Sequence, residues 1–278
     1  MQLKPLDLSW ALDSELPPLD FVLPGLTPGS VGLIVAPGAT GKSTLALDIA
    51  ASMALGRPCA GGLFNLTSPA KVLYLAAEES PQLLAERLRR LLNVFERKSQ
   101  HLRKNLKVLP MAGENSLLVS AGHPTALFNE LVKECTGARL VIVDPLRRLH
   151  NGDENDSSHM TALVVTLEAL AKTTGAAVLA LHHANRSSQL DATSQNAARG
   201  STALVDAARW QINLSRIDER SSDAKGSGPL VAVDFAKMNY IAPTSRQVLQ
   251  FGADGRLSLS KPSTRKAHEP VLGGARNL

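Results

Sequence analysis

One eight-residue stretch constrains the fold of this chain more than any other: Ala36-Pro37-Gly38-Ala39-Thr40-Gly41-Lys42-Ser43. An apolar run, Val31-Gly32-Leu33-Ile34-Val35, precedes it, and from Ser43 to Leu55 the apolar residues Leu45, Ile49 and Met53 recur at helical spacing. The order is strand, glycine-rich loop, helix. In that context such a loop is a P-loop, whose glycines let consecutive backbone N–H groups converge on the β-phosphate of ATP. Gly38, Ala39, Thr40, Gly41, Lys42, Ser43 and Thr44 form the expected nucleotide cradle. Lys42 reaches the β- and γ-phosphates, and the Ser43 hydroxyl binds Mg²⁺. Ala36 stands where the first glycine usually is, a position that only begins the turn. The helix N-terminus adds partial positive charge at the phosphates.

The rest of the chain alternates in the same way. Val72 to Leu75 is a second buried-strand pattern, followed by an amphipathic helix from Pro81 to Phe95 with Leu83, Leu84, Leu88, Leu91 and Leu92 inward. Leu106 to Leu109, Leu140 to Val143 and Ala177 to Leu181 are further strands, the last fed by a helix from Met160 to Lys172. Strand–helix alternation predicts an α/β fold with a mostly parallel sheet flanked by helices, and such sheets bind ligands at their carboxyl edge. Runs near Ala208 to Leu214, Leu230 to Phe235, Val248 to Phe251 and Leu257 to Leu259 predict an antiparallel C-terminal extension. Asn185 to Ala198 and Asp218 to Pro229 are polar and predict mobile loops. The expected division is an N-terminal arm over 1–20 that can contact a neighbouring subunit, an ATPase domain over 21–260 and a disordered basic tail over 261–278.

Two carboxylates suit the phosphate site. Asp144 ends the Leu140 to Val143 strand, where a carboxylate lies beside a P-loop and holds the Mg²⁺ shell. Glu78, just beyond the second strand, is the expected base that aligns water on the γ-phosphate, with adjacent Glu79 its rival. His182 and His183 close the strand that begins at Ala177, where a polar group can sense the γ-phosphate.

Composition narrows the setting. An apolar content of 44% with 4% aromatics suits aliphatic helices on a parallel sheet, and the net charge of +5 admits a polyanionic partner. Cys59 and Cys135 are the only cysteines and lie in no metal-ligand spacing, which fits a reducing cytoplasm. The N-terminus lacks the basic-then-apolar order of a secretory signal, and no apolar run reaches the roughly 18 residues that span a bilayer. No membrane association is expected.

At this point the chain resembles the RecA-like hexameric helicase family, the RepA-type plasmid replicative helicases most of all. The resemblance rests on Pro18-Leu19-Asp20-Phe21, Val72 to Glu79, Val141 to Arg148, Leu181-His182-His183-Ala184, Ala198-Arg199-Gly200-Ser201, Arg209-Trp210-Gln211 and Lys237 to Pro243, besides the P-loop. It implies a RecA-like P-loop NTPase core with Glu78 as catalytic glutamate and His183 as γ-phosphate contact. Arg209 resembles the arginine finger that reaches a neighbour's ATP, with Arg199 and Lys237 as alternatives. Arg87 and Tyr240 resemble the pair that sandwiches adenine. The Asn185 to Ala198 loop resembles the family's channel-facing DNA loops, although Arg186 is its only cation before Arg199. The implied activity is ATP-driven unwinding of forked DNA by a homo-oligomeric, hexameric ring that pulls single-stranded DNA. It would work with replication initiator or primase proteins on a plasmid or mobile element. A RecA-like DNA-binding or regulatory ATPase that unwinds nothing is the alternative. A small-molecule kinase finds no evident lid in the sequence, and a partition ATPase would need a further lysine near the loop's start.

Overall fold

The computed structural model describes residues 4–184, 195–198, 202–217, 228–242 and 244–260. Most of the predicted Asn185 to Ala198 loop, Arg186 and Arg199, residues 218–227, Pro243 and the tail from Lys261 lie outside the described residues.

Along the chain run α1 (Leu8–Asp13), β1 (Val31–Ala36), α2 (Lys42–Leu55), β2 (Val72–Ala76), α3 (Pro81–Leu91), α4 (Val94–Lys98) and α5 (Gln100–Asn105). Then come β3 (Leu106–Pro110), a short hairpin of β4 (Val119–Ser120) and β5 (His123–Pro124), α6 (Ala126–Glu134), β6 (Leu140–Asp144), α7 (Ser157–Thr174) and β7 (Ala177–His183). α8 (Ala203–Ala207), β8 (Trp210–Ile217), β9 (Leu230–Met238), β10 (Gln247–Phe251) and β11 (Leu257–Leu259) complete the order. Nine strands form one sheet in the order β11-β10-β9-β8-β1-β7-β6-β2-β3. β8, β1, β7, β6, β2 and β3 are parallel, and β9, β10 and β11 extend the sheet antiparallel beyond β8. This is the RecA-like α/β arrangement.

The aliphatic runs become strands because both faces of the parallel sheet are covered. Every residue of β1, β2 and β6 is buried. Successive side chains point to opposite faces, so Ile34, Tyr74, Ile142 and Leu179 join α2 in one core while Leu33, Leu73, Val141 and Val178 join α7 in the other. Each fully buried aliphatic contributes about 1.5–3 kcal/mol. Three closures direct the chain around this sheet. Asp156 caps α7 by accepting from the N–H groups of Ser158 and His159. Gly56 ends α2 in the left-handed conformation at φ +70°. Arg139, just before β6, donates to the Asp20 carboxylate and to Phe21 O (3.0 Å), so the chain is fastened where it leaves the N-terminal arm.

The predicted helix from Pro81 to Phe95 is corrected to two helices. Asn93 accepts from the N–H groups of Phe95 and Glu96, and Glu96 returns a bond to Asn93 N. This capping box makes Asn93 the start of a new helix. Leu83, expected inward, is 44% exposed. The helices α1, α5 and α6 were not anticipated; each is short, and α1 buries no side chain.

Candidate active site

β1 delivers the P-loop to the carboxyl edge of the sheet. Ala36 is the last residue of β1, buried and extended, so this position asks nothing that only glycine can supply. The demanding position is Gly41, at φ +101° in front of α2, where an added methyl would lie 2.5 Å from Cζ of Phe251. Gly38 faces open space, with no heavy atom within 4 Å of where its Cβ would be. The Lys42 ammonium donates to Ala36 O (2.9 Å) and Pro37 O (3.1 Å), closing the loop on itself, and Thr40 Oγ1 donates to Pro37 O (3.0 Å). Arg216, from the far end of β8, donates to Ala39 O.

Sheet register gathers the carboxylates. Asp144 is level with Ala76 across β6 and β2, and its Oδ2 accepts from the Tyr74 hydroxyl at 2.5 Å. The Ser43 hydroxyl also donates to it. Burial raises the Asp144 pKa, opposed by the bonds from Tyr74 and Ser43 and by the charge on Lys42. Burial lowers the Lys42 pKa, opposed by Asp144 and Glu78. The two groups hold each other charged in a site that disfavours either alone. His183 is paired in register with Ala36 and senses Lys42, Glu78 and Asp144, burial being the largest cause of its lowered pKa.

Glu78 and Glu79 separate clearly. Glu78 forms an ion pair with Arg148 Nε (2.9 Å) and remains half exposed. Glu79 is mostly buried, pairs with Arg87 Nη2 (2.7 Å), and has its pKa raised chiefly by burial.

Beside the loop a cavity of about 450 Å³ opens between Thr44, Leu83, Arg87 and Phe251. Its size and mixed lining suit a nucleoside. Tyr240 does not border it. Trp210 of β8 pairs with Met238 of β9 and is level with Gly32, so residues just beyond Met238 sit at the amino edge, about 13 Å of strand from Ala36. Arg209 shares that edge: it is exposed, and its N–H donates to Val31 O (3.1 Å). Lys237 is engaged locally, donating to Val205 O (2.8 Å) and Asp206 O (3.3 Å) at the end of α8.

The structure therefore brings Lys42, Ser43, Thr44, Asp144, Glu78, His183 and Arg87 together and leaves Arg209 and Tyr240 on the opposite edge of the same chain. Four participants escaped the sequence reading: Tyr74, Arg148, Arg216 and Phe251. Tyr74 carried a signal, a hydroxyl within an otherwise aliphatic strand; the other three carried none that spacing could reveal.

The residues present fit ATP with Mg²⁺. The loop is open at Gly38, and Ser43 and Asp144 offer the hard oxygen ligands that Mg²⁺ selects. Fold and site together define a P-loop, NTP-hydrolysing enzyme. A family model described as an AAA domain matches residues 1–189 of the 278, and the chain belongs to that family. The chain is also similar to a solved DnaB-like replicative helicase, studied with its interactions with primase, at a TM-score of 0.62 and 17% identity over 91% of this chain and 68% of that one. At that identity the likeness establishes the fold. No helix among the described residues is long and apolar enough to cross a membrane.

Proposed function

We propose that this chain is the motor of an ATP-dependent DNA helicase of the RepA type. It assembles as a ring, a hexamer by resemblance, in the cytoplasm during replication of a plasmid or mobile element. One observation carries the reading: the hydrolytic groups are divided between the two edges of the sheet. Lys42, Ser43, Asp144, Glu78 and His183 gather at the carboxyl edge, while Arg209 stands at the amino edge and cannot reach its own P-loop. A cation supplied by a neighbouring chain stabilises charge spreading over the transferred phosphoryl and makes hydrolysis depend on assembly. The resemblance of the fold to a replicative helicase supports the choice of substrate.

In this reading the P-loop amides from Gly38 to Thr44 cradle the phosphates, Lys42 swings from its own carbonyls to the β- and γ-phosphates, and Glu78 orients the attacking water. Mg²⁺, held by Ser43 and Asp144, would neutralise phosphate charge when bound. His183 sits where loss of the γ-phosphate can be relayed to the segment that follows it. Arg87 and Phe251 hold the nucleoside from within the chain, and Tyr240 reaches it only from a neighbour. Single-stranded and forked DNA are the substrates, with initiator or primase proteins as partners.

Strand displacement on a forked duplex with ATP and Mg²⁺ tests the proposal. Displacement that disappears in Lys42→Ala supports it. DNA-stimulated hydrolysis without displacement would replace it with a DNA-binding ATPase that unwinds nothing.

A further inference from the structure

A second cavity, about 620 Å³, is bordered by Glu78 together with Ser116, Arg147, Arg148, His150 and Asn151. The segment from Arg147 to Asn151 follows Asp144 directly, so this cavity and the nucleotide site share a wall. His150 is only 4% exposed, and neither of its ring nitrogens has a hydrogen-bond partner among the described residues. Burying a polar ring without a partner is unfavourable, and such groups are commonly completed by a ligand or solvent. The backbone here is held in place: Ser116 Oγ donates to Arg148 O (3.0 Å) and Arg147 Nη1 donates to His150 O (3.1 Å). The Arg148 side chain is 60% exposed and free to move about that anchor.

Arg148 is not idle. Its Nε donates to Glu78 Oε1 at 2.9 Å. A carboxylate oxygen that accepts from a guanidinium has spent a lone pair that would otherwise orient water. The pair is half exposed, so water competes for both partners and a stronger anion can displace the carboxylate. Phosphodiester oxygens match the guanidinium fork as well as a carboxylate does.

We propose that this cavity binds the phosphate backbone of single-stranded DNA, and that the bound phosphate takes Arg148 from Glu78 and so releases the base for hydrolysis. The inference rests on the helicase reading and deepens it. Arg148 and Arg147 supply cations that are scarce in the Asn185 to Ala198 sequence, while His150 and Asn151 offer N–H donors to phosphate and sugar. Glu114 also borders the cavity, and its charge disfavours a phosphate placed beside it. Arg147 lies 3.8 Å from Glu154, a loose pair that leaves its charge available.

The test uses the full chain, oligo-dT and two readouts: ATP hydrolysis with and without oligo-dT, and oligo-dT affinity by fluorescence anisotropy. Arg148→Ala should raise hydrolysis several-fold without DNA, lose most of the DNA stimulation and bind oligo-dT several-fold more weakly. Glu78→Gln should bind oligo-dT more tightly than the unaltered chain, because Arg148 has lost its charged competitor. This readout needs no turnover. Unchanged basal rate and stimulation in Arg148→Ala, or unchanged affinity in Glu78→Gln, overturns the inference while leaving the helicase reading intact. Stimulation by polyglutamate equal to that by oligo-dT overturns the choice of DNA. An unaltered chain that neither binds nor responds to DNA sinks the helicase reading itself.

Discussion

The Tyr74 hydroxyl on β2 donates to the Asp144 carboxylate on β6 across 2.5 Å, joining two strands at the point where the P-loop meets the sheet edge. Tyr74 is 1% exposed and its own pKa is raised well above 10.0 by burial and by Asp144. It is therefore a permanent donor. Its bond lowers the Asp144 pKa against the burial that raises it.

Tyr74→Phe should cost about 1.5–3 kcal/mol of stability for the lost hydrogen bond to a charged group. It should also raise the Asp144 pKa further. A carboxyl whose folded pKa lies above its ordinary 3.8 binds its proton more tightly when folded, so ionising it reduces stability as pH rises through that interval. Metal binding needs the ionised form. The acid limb of the hydrolysis pH profile should consequently move to higher pH in Tyr74→Phe, and an unmoved limb would show that the bond does not tune Asp144.

Lys42→Ala and Arg209→Ala should each lower hydrolysis by a factor of about 10² or more, the first by removing the phosphate cation and the second by removing the trans cation. Arg209→Ala should still bind ATP. Because the two residues serve a shared site from different chains, mixing the two inactive variants should restore part of the turnover. A mixture as inactive as its components would exclude Arg209 as the finger.

Gly41→Ala places a methyl 2.5 Å from Phe251 Cζ and strains a backbone held at φ +101°. The backbone strain alone is worth about 1–3 kcal/mol. Phe251→Ala should relieve the steric part and leave the strain. Thermal unfolding of the single and double variants should show this partial rescue; no rescue would mean that Phe251 is not the obstacle.

The arm presents Leu8 at 64% exposure, Trp10 at 50% and Leu12 at 79%, an apolar surface that the described residues leave open. Deleting residues 1–17 should weaken assembly while leaving the P-loop domain folded. Light scattering would reveal it as a lower mass at the same concentration, and an unchanged mass would refute a role for the arm between subunits.

Much of this protein is legible from local chemistry. Parallel strands buried on both faces leave unbroken aliphatic runs, so β1, β2, β6 and β7 could be read to within two residues, and the P-loop announced itself by glycine spacing. The antiparallel extension showed the same way from β9 onward, but the run from Ala208 to Leu214, expected within it, is corrected to β8, which lies parallel to β1 because the chain re-enters the sheet at the amino edge. The break between α3 and α4 was also written locally, in the Asn93 and Glu96 capping box, but it competed with a longer amphipathic pattern that ran through it.

The partners of the site residues were not legible, because strand order brings together groups far apart in sequence. Glu78 and Glu79 are neighbours in the chain, yet one meets Arg148 after the chain has crossed to β6 while the other meets Arg87 on α3. Phe251 borders the nucleoside cavity because β10, antiparallel to β9, returns the chain to the carboxyl edge, whereas the parallel start of β8 and the far end of β9 leave Arg209 and Tyr240 at the amino edge. Sequence alone determined that a phosphate loop sits at the end of one buried strand and a carboxylate at the end of another. Tertiary structure decided which edge each remaining group occupies and which charge it faces, since the direction and register of strands are settled by packing over the whole sheet rather than by any residue's immediate neighbours.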